Sequence, residues 1–231
     1  MKILSVVIPC YNEARTIRTL LGKISALIIP NWQIEIVIVD DGSKDGTRDI
    51  LKEYEKEHRG EKFKVIYHEK NAGKGSAVQT GLARASGDYI LIQDADLEYD
   101  PAEIPSLIAV AERKPGSVVY GSRNLHPVKR RGMYIPRLGV WFITQEFNIL
   151  YGTNLTDLWT CYKLFPKTAA GFFISGGFES ELIFSARLIK NGFKISEIPI
   201  SHKPRSIEEG KKIRYRDGVK GIWLLLTERF R

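Results

Sequence analysis

The sequence predicts an α/β protein whose sheet is mostly parallel and covered by helices on both faces. Two observations carry this. Short β-branched runs recur at "ILSVVI" (3–8), "IEIVIVD" (34–40), "FKVIYH" (63–68), "YILIQD" (89–94) and "SVVYG" (117–121). Continuous apolar runs of this length read as buried strands. Between them lie segments of helical length, about 13–27, 45–59, 74–85 and 101–113, the last with Pro101 near its first position. Strands alternating this regularly with helices imply parallel pairing through crossover helices. The 231 residues suffice for one large α/β domain with a substantial core plus an appended segment.

Composition excludes several classes. The two cysteines, Cys10 and Cys161, have no spaced partners and form neither a disulfide framework nor a zinc site. "MKILSVVIPCYNE" has no secretory cleavage pattern, so a cytoplasmic chain is expected. No window reaches the roughly 18–20 unbroken apolar residues that crossing a bilayer requires. The formal net charge of +8, much of it contributed after residue 110, favours anionic partners: nucleic acid, phosphorylated ligands or an acidic lipid surface.

In parallel sheets ligands sit at the carboxyl ends of the strands. Those ends deliver "PCYNE" (9–13), "DDGS" (40–43), "EKNAGKGS" (69–76), "DADLE" (94–98) and "GSRN" (121–124), so polar chemistry converges on one edge. In an extended backbone Asp94 and Asp96 point to one side and Ala95 to the other, with Glu98 following at the same parity. No basic residue stands beside them in the sequence. Three clustered carboxylates suit a hard divalent cation, Mg²⁺ or Mn²⁺, which commonly shares its shell with substrate phosphates. A solvated acidic loop is the competing reading, and Asp100 is placed to cap the helix at Pro101. Asp40 and Asp41 end the second strand where an acid can hold ribose hydroxyls, or they belong to a turn and helix cap. Neither a GxGxxG after the first strand nor a GxxxxGK[ST] loop is present. Lys74 and the glycines around it open a helix and can approach an anion.

Taken in order and spacing, "SVVIPCYNE", "VIVDDGSKDGT", "NAGKGSAVQTG", "GDYILIQDADLEYDP" and "GSR" resemble a family 2 glycosyltransferase with the GT-A fold. Further on, "LTDLWTCYKLF" (155–165), "GGFESEL" (176–182), "KISEIPI" and "KPRSIEEGKKIRYRDG" resemble the branch that transfers sugars to polyprenyl phosphates, the dolichyl-phosphate mannose or glucose synthase type. The resemblance covers nearly the whole chain. It implies a catalytic domain over 1–202, with a nucleotide-sugar half (1–124) and an acceptor half (125–202), followed by a basic loop and C-terminal helix over 203–231.

The resemblance also implies roles. Pro9, Tyr11, Glu13 and Asp40, with Asp41, Lys74 and Ala95, line the donor; Asp94 and Asp96 grip the metal-diphosphate, with Glu98 a further candidate ligand; Arg123 faces the phosphates. Glu98 stands where mannose synthases often carry Gln or another polar residue. Asp157 and Glu181 match motifs near the reacting groups, although Asp157 can equally be a structural acceptor ahead of the strand "CYKLF". Arg137, Arg205, Lys211 and Lys212 are the candidates for the acceptor phosphate, since Arg grips a phosphate through two coplanar donors. Lys211 and Lys212 can instead pair with Glu208 and Glu209. "SIEEGKK" replaces the Gly-Glu-Ser-Lys-like run of mannose synthases, so the sugar is left open.

The implied reaction is an inverting transfer of a hexose from a GDP-mannose or UDP-glucose type donor to a dolichyl or undecaprenyl phosphate. A lipid phosphate is ionised near neutral pH, so positive groups that orient it matter more than a base. His58, His68, His126 and His202 accordingly read as surface or packing residues. A helix over 137–152 places Val140, Ile143, Phe147, Leu150 and Tyr151 on one face, downstream of the basic Lys129 to Arg131. That face lies in a membrane interface or packs on the core. A second apolar patch, "GVKGIWLLLTERFR", can meet membrane, core or a membrane-anchor subunit. The expected location is the cytoplasmic face of a membrane. Two alternatives compete: a glycan or other non-lipid acceptor, against which "EIPISHKPRSIEEGKK" argues, and nucleic-acid binding, which lacks a motif and leaves the acidic strand end unexplained.

Overall fold

The computed structural model describes residues 1–58, 62–125, 134–177, 179–204 and 215–230; in its two longest helices the side chains are described from residues 139 and 223 onward. The strands are β1 (Lys2–Cys10), β2 (Trp32–Asp40), β3 (Phe63–Tyr67), β4 (Tyr89–Ile92), β5 (Val118–Ser122), β6 (Lys163–Pro166) and β7 (Ile195–Pro199). The helices are α1 (Ile17–Ser25), α2 (Thr47–Glu57), α3 (Lys74–Arg84), α4 (Ile104–Arg113), α5 (Tyr134–Tyr151), α6 (Ser180–Lys190) and α7 (Tyr215–Phe230). The strands form one seven-stranded sheet in the order β3-β2-β1-β4-β6-β5-β7. Pairing is parallel from β3 to β4 and between β5 and β7; β6 runs antiparallel to both β4 and β5.

The two faces of the sheet follow from side-chain alternation along β1. Leu4, Val6 and Ile8 enter one layer with Ile17, Leu20, Leu21 and Ile24 of α1 and Leu107 and Ile108 of α4. Val7 enters the other, with Val78 and Leu82 of α3 and Phe184 and Leu188 of α6. All of these are buried, and each contributes about 1.5–3 kcal/mol by leaving water. The predicted strands and helices of the first half therefore correspond to β1–β5 and α1–α4. The expectation that failed locally is the extended backbone through Asp96: β4 stops at Ile92, and residues 95–99 form turns and bends. Leu97 adopts a φ of 60°, which breaks the parity that was to carry Glu98.

The third core cluster joins α5, α6 and α7. Ile143, Phe147 and Tyr151 are buried in it, and Val140 and Leu150 pack against it. The face expected either at a membrane or on the core is thus a core face. What the spacing did not single out is the other side of α5, where Trp141, Phe142 and Ile149 are 54%, 60% and 83% exposed. α7 packs beside it: Tyr151 donates its hydroxyl hydrogen to the Leu225 carbonyl at 3.0 Å, and Arg187 of α6 pairs with Glu228 at 2.9 Å. Trp223, Leu226 and Phe230 of α7 are exposed as well. Among the described residues no helix is long and apolar enough to cross a membrane.

Candidate active site

The ends of β1, β2 and β4 and the start of α3 bring four loops together. Pro9 is buried at the end of β1, opposite Val39 of β2, and Tyr11 follows half-buried. Asn12 takes a φ of 54°; its backbone N–H donates to Ser43 Oγ (2.9 Å) and its side chain accepts from the Lys44 N–H (2.8 Å). Glu13 is buried, its N–H donating to Thr47 Oγ1 at 2.9 Å and its carboxylate accepting from Thr16 Oγ1 at 3.0 Å. The loop after β1 is therefore stitched to the loop after β2.

Asp40 and Asp41 both serve the protein's own frame. Asp40 is fully buried and accepts from the Ser43 N–H (3.3 Å) and from Arg48 Nε (2.5 Å). Arg48 also donates to the His68 carbonyl and lies over the Tyr67 ring, 5.6 Å from its centroid. Asp41 accepts from the Ala72 and Gly73 N–H groups at 2.9 and 2.8 Å and bonds His68 Nδ1 at 2.7 Å. Neither caps α2, whose cap position is Gly46; Asp45 bonds the Thr47 N–H instead. Gly42 follows the two aspartates at φ 77°, and a Cβ there would lie 2.7 Å from the Asn71 backbone N. Only glycine permits that approach of the two loops.

The acidic turn has a cation after all. Lys74, the first residue of α3, places Nζ 2.6 Å from Asp94 Oδ1 and 3.7 Å from Glu181 Oε1. The absence of a basic neighbour in the sequence is thus made good by the fold. Burial opposes a charge on Lys74, but Asp94 and Glu181 outweigh it and hold its pKa well above the usual lysine range. Glu181, buried at the start of α6, accepts from Lys163 Nζ at 2.8 Å. Lys163 is fully buried, and its ammonium also lies 5.0 Å from the Tyr120 ring centroid.

Ala95 is buried in the core, while Asp94 and Asp96 on either side are partly exposed. The two aspartates thus face away from the core, with Asp96 Oδ1 accepting from the Glu98 N–H at 3.1 Å. Glu98 Oε2 bonds His202 Nε2 at 2.9 Å, and the Glu98 carbonyl accepts from the Lys203 N–H at 3.0 Å. Asp100 caps the 3₁₀ turn Pro101–Glu103 as expected, accepting from the Ala102 N–H at 3.2 Å. His202 packs against Tyr99, which stacks on Tyr162 with centroids 5.3 Å apart.

Arg123, at the end of β5, grips Asp157 through both Nε and Nη2 at 2.7 Å, and its own N–H donates to Asp157 at 2.9 Å. Burial works against the guanidinium charge, but the bidentate pairing with Asp157 outweighs it and pushes its pKa well up. The Asp157 N–H in turn donates to Glu197 of β7 at 2.9 Å. Asp157 thus accepts three hydrogen bonds from Arg123, just ahead of the segment that leads into β6. Arg137 lies on α5 with its side chain outside the described residues, and Arg205, Lys211 and Lys212 lie outside them entirely, as does His126. Sequence reasoning missed Arg48, Lys163 and Glu197. Lys163 had a signal, a lysine inside the apolar run "CYKLF".

A family model described as Glycosyl transferase family 2 matches residues 5–171. The chain belongs to that family. Among curated members, it is 28% identical over 219 residues to the dolichyl-phosphate beta-glucosyltransferase of Drosophila melanogaster, covering 85% of this chain and 66% of that one. It is 38% identical over 114 residues to the undecaprenyl-phosphate 4-deoxy-4-formamido-L-arabinose transferase of Pseudomonas savastanoi pv. phaseolicola, covering 49% of this chain and 34% of that one. With the dodecaprenyl-phosphate galacturonate synthase of Rhizobium johnstonii the identity is 27% over 165 residues, covering 70% and 47% respectively. The chain therefore spans between about a third and two thirds of these relatives' lengths. In fold it matches glucosyl-3-phosphoglycerate synthase from Mycobacterium tuberculosis, crystallised with Mn²⁺, UDP and phosphoglyceric acid, with a TM-score of 0.73 at 19% identity, covering 99% of this chain and 78% of that one. The mixed α/β sheet is that of the GT-A glycosyltransferases, as the sequence resemblance implied.

Proposed function

We propose that this chain is a metal-dependent, inverting glycosyltransferase that moves a hexose from a nucleotide-sugar to a polyprenyl phosphate. The observation that carries the reading is the pair Asp94 and Asp96, partly exposed on a turn at the sheet edge, with Asp94 already paired with the ammonium of Lys74. The three curated relatives, each named for a polyprenyl-phosphate acceptor, support the acceptor class.

The donor set fits a hard divalent ion. Two aspartates offer oxygen ligands, and among the described residues no group of three or more His, Cys, Asp and Glu side chains is arranged to hold a metal. Water and diphosphate oxygens would complete the shell, as is usual for Mg²⁺. When bound at Asp94 and Asp96, Mg²⁺ or Mn²⁺ would offset charge on the departing nucleoside diphosphate. The chain's own share is positioning. Asp41 and Gly42 hold the loop over 68–74 against the end of β2, and the Glu13–Thr47 stitch closes the nucleoside side. Arg123, held by Asp157, keeps its charge at every working pH and orients phosphate at that edge. The bond from the acceptor phosphate oxygen to C1 forms as the bond from C1 to the diphosphate breaks on the opposite face. The attacking oxygen carries no proton, so no base is needed.

The exposed aromatic side chains of α5 and α7 are the surface we assign to the membrane that carries the acceptor. Trp141, Phe142, Trp223 and Phe230 suit an interface in which large rings sit among headgroups, and the net charge of +8 favours anionic lipid. The cytoplasmic face and a membrane-anchor subunit belong to the same reading.

The test uses purified protein with Mg²⁺ or Mn²⁺, a panel of UDP- and GDP-sugars, and nucleotide release measured with and without polyprenyl phosphate in detergent. Release from one donor that depends on the lipid is the expected result. Release with no lipid dependence for any donor would remove the acceptor assignment.

A further inference from the structure

Two helix starts meet in an unusually close contact. A Cβ on Gly75, in the first turn of α3, would lie 2.5 Å from both the Gly176 carbonyl oxygen and Ser180 Oγ, so only glycine lets the N-termini of α3 and α6 approach this far. The contact sets Lys74 beside Glu181, although 107 positions of sequence separate them. The result is a row of alternating charges, Asp94, Lys74, Glu181 and Lys163, with neighbouring groups 2.6, 3.7 and 2.8 Å apart. Lys163 and Glu181 are fully enclosed, whereas Lys74 and Asp94 retain 14% and 17% side-chain exposure.

We infer that Lys74 is a two-position latch: its ammonium neutralises Asp94 while the donor site is empty and moves onto Glu181 when a divalent cation takes Asp94. This rests on the metal-dependent reading of the site. Nζ already lies within hydrogen-bond distance of Asp94 and about one ångström beyond it from Glu181 Oε1. Glu181 Oε1 is buried and makes no hydrogen bond, while Oε2 is engaged by Lys163. A short rotation of the lysine tip would give that oxygen a partner and keep Lys74 paired, where an isolated buried charge would be costly. Glu181 then serves as a positioning residue, and Lys163 keeps it charged and oriented. The latch makes metal binding conditional: a cation must displace an ammonium from Asp94, so metal held only by two carboxylates is disfavoured until the donor's diphosphate adds its own ligands. It also keeps the buried row neutral in both positions, since no charge leaves the protein.

The test is Mn²⁺ binding by the intact chain, read from the loss of the free Mn²⁺ electron paramagnetic resonance signal, with and without UDP or GDP. Wild type is expected to take Mn²⁺ weakly alone and more tightly with the nucleotide. Lys74→Met should tighten nucleotide-free Mn²⁺ binding by about tenfold or more, since a positive charge next to the ligand is removed. Adding Asp94→Asn should cancel that gain. Glu181→Gln should weaken nucleotide-dependent binding, because Lys74 then has no anionic second position. Lys74→Gln gives the same reading if the methionine variant does not fold, as circular dichroism will tell. Unchanged nucleotide-free affinity in both Lys74 variants, with nucleotide-dependent binding intact, overturns the latch and leaves the metal site standing. Absence of Mn²⁺ binding by wild type even with nucleotide overturns the metal site and the latch together.

Discussion

The two halves of the molecule secure their acidic side chains differently. In the half built on β1–β4, several carboxylates and amides are tied to nearby loops through backbone N–H groups, Asp41 to Ala72 and Gly73, Asp45 to Ala14 and Thr47, Asn12 to Lys44, while Asp40 and Glu35 also take the cations of Arg48 and Lys64. Around β5–β7, buried acids are matched by side-chain cations from distant elements: Asp157 by Arg123, Glu181 by Lys163 and Lys74. Backbone donors are fixed by the loop itself, so the first arrangement shapes a cleft for a constant ligand part. Side-chain pairs exist only once the fold has closed, and they can exchange partners. On the proposed function, the first half would hold the nucleotide and the second would change state as the reaction proceeds.

The largest effect is expected at their junction. Asp96→Asn should lower turnover by at least about a hundredfold, as loss of a group that stabilises transition-state charge does, without lowering the melting temperature; near-normal turnover would remove Asp96 from the metal site. Next comes the side-chain-paired half. Asp157→Ala leaves the Arg123 guanidinium without its bidentate partner and should cost about 3–5 kcal/mol in denaturant unfolding. If the loss is below about 1 kcal/mol, the pair behaves like an exposed salt bridge and the contrast between the halves fails. On the surface, the double substitution Trp141→Ser with Trp223→Ser should weaken sedimentation with anionic vesicles by roughly tenfold at unchanged thermal stability, from the apolar area two indoles withdraw from water. Equal binding would move the membrane contact off these helices.

The smallest effect tests the first half by pH, at an acid held by both side-chain and backbone donors. Burial alone would raise the Glu35 pKa, but hydrogen bonds from Lys64, Ser5 and Ser86 outweigh it and lower it from 4.5 to about 2. A carboxyl whose folded pKa is depressed adds stability above its unfolded value, and that stability fades as pH falls through the folded one. Glu35→Gln should therefore melt below wild type above about pH 4.5, and the gap should close toward about pH 2. A gap of constant size over that range would show that charge on Glu35 contributes nothing.

The same contrast explains what was legible in the sequence. Strand ends and local loops could be read because their partners are near in the chain: Asp100 beside Ala102, and Asp94 and Asp96 flanking a buried Ala95. The cation on Asp94 could not, because it arrives on α3 from twenty residues upstream. Nor could the partner of Arg123, since Asp157 lies 34 positions further along the chain. Glu98 leaves the side expected from strand alternation for a local reason, the positive φ at Leu97 that turns the chain. On α5 the apolar spacing found the buried face correctly. Its aromatic outer face stood apart from that spacing, since Trp141 and Phe142 directly follow Val140.

The most direct measurement is transfer of radiolabelled sugar from the nucleotide-sugar that supports turnover into an organic-phase lipid. It needs polyprenyl phosphate, polyprenol lacking the phosphate, and a water-soluble glycan as parallel acceptors. The expected result is label in the organic phase with polyprenyl phosphate alone, lost in Asp96→Asn. Label on the glycan, or on polyprenol as readily as on its phosphate, would contradict sugar transfer to a lipid phosphate.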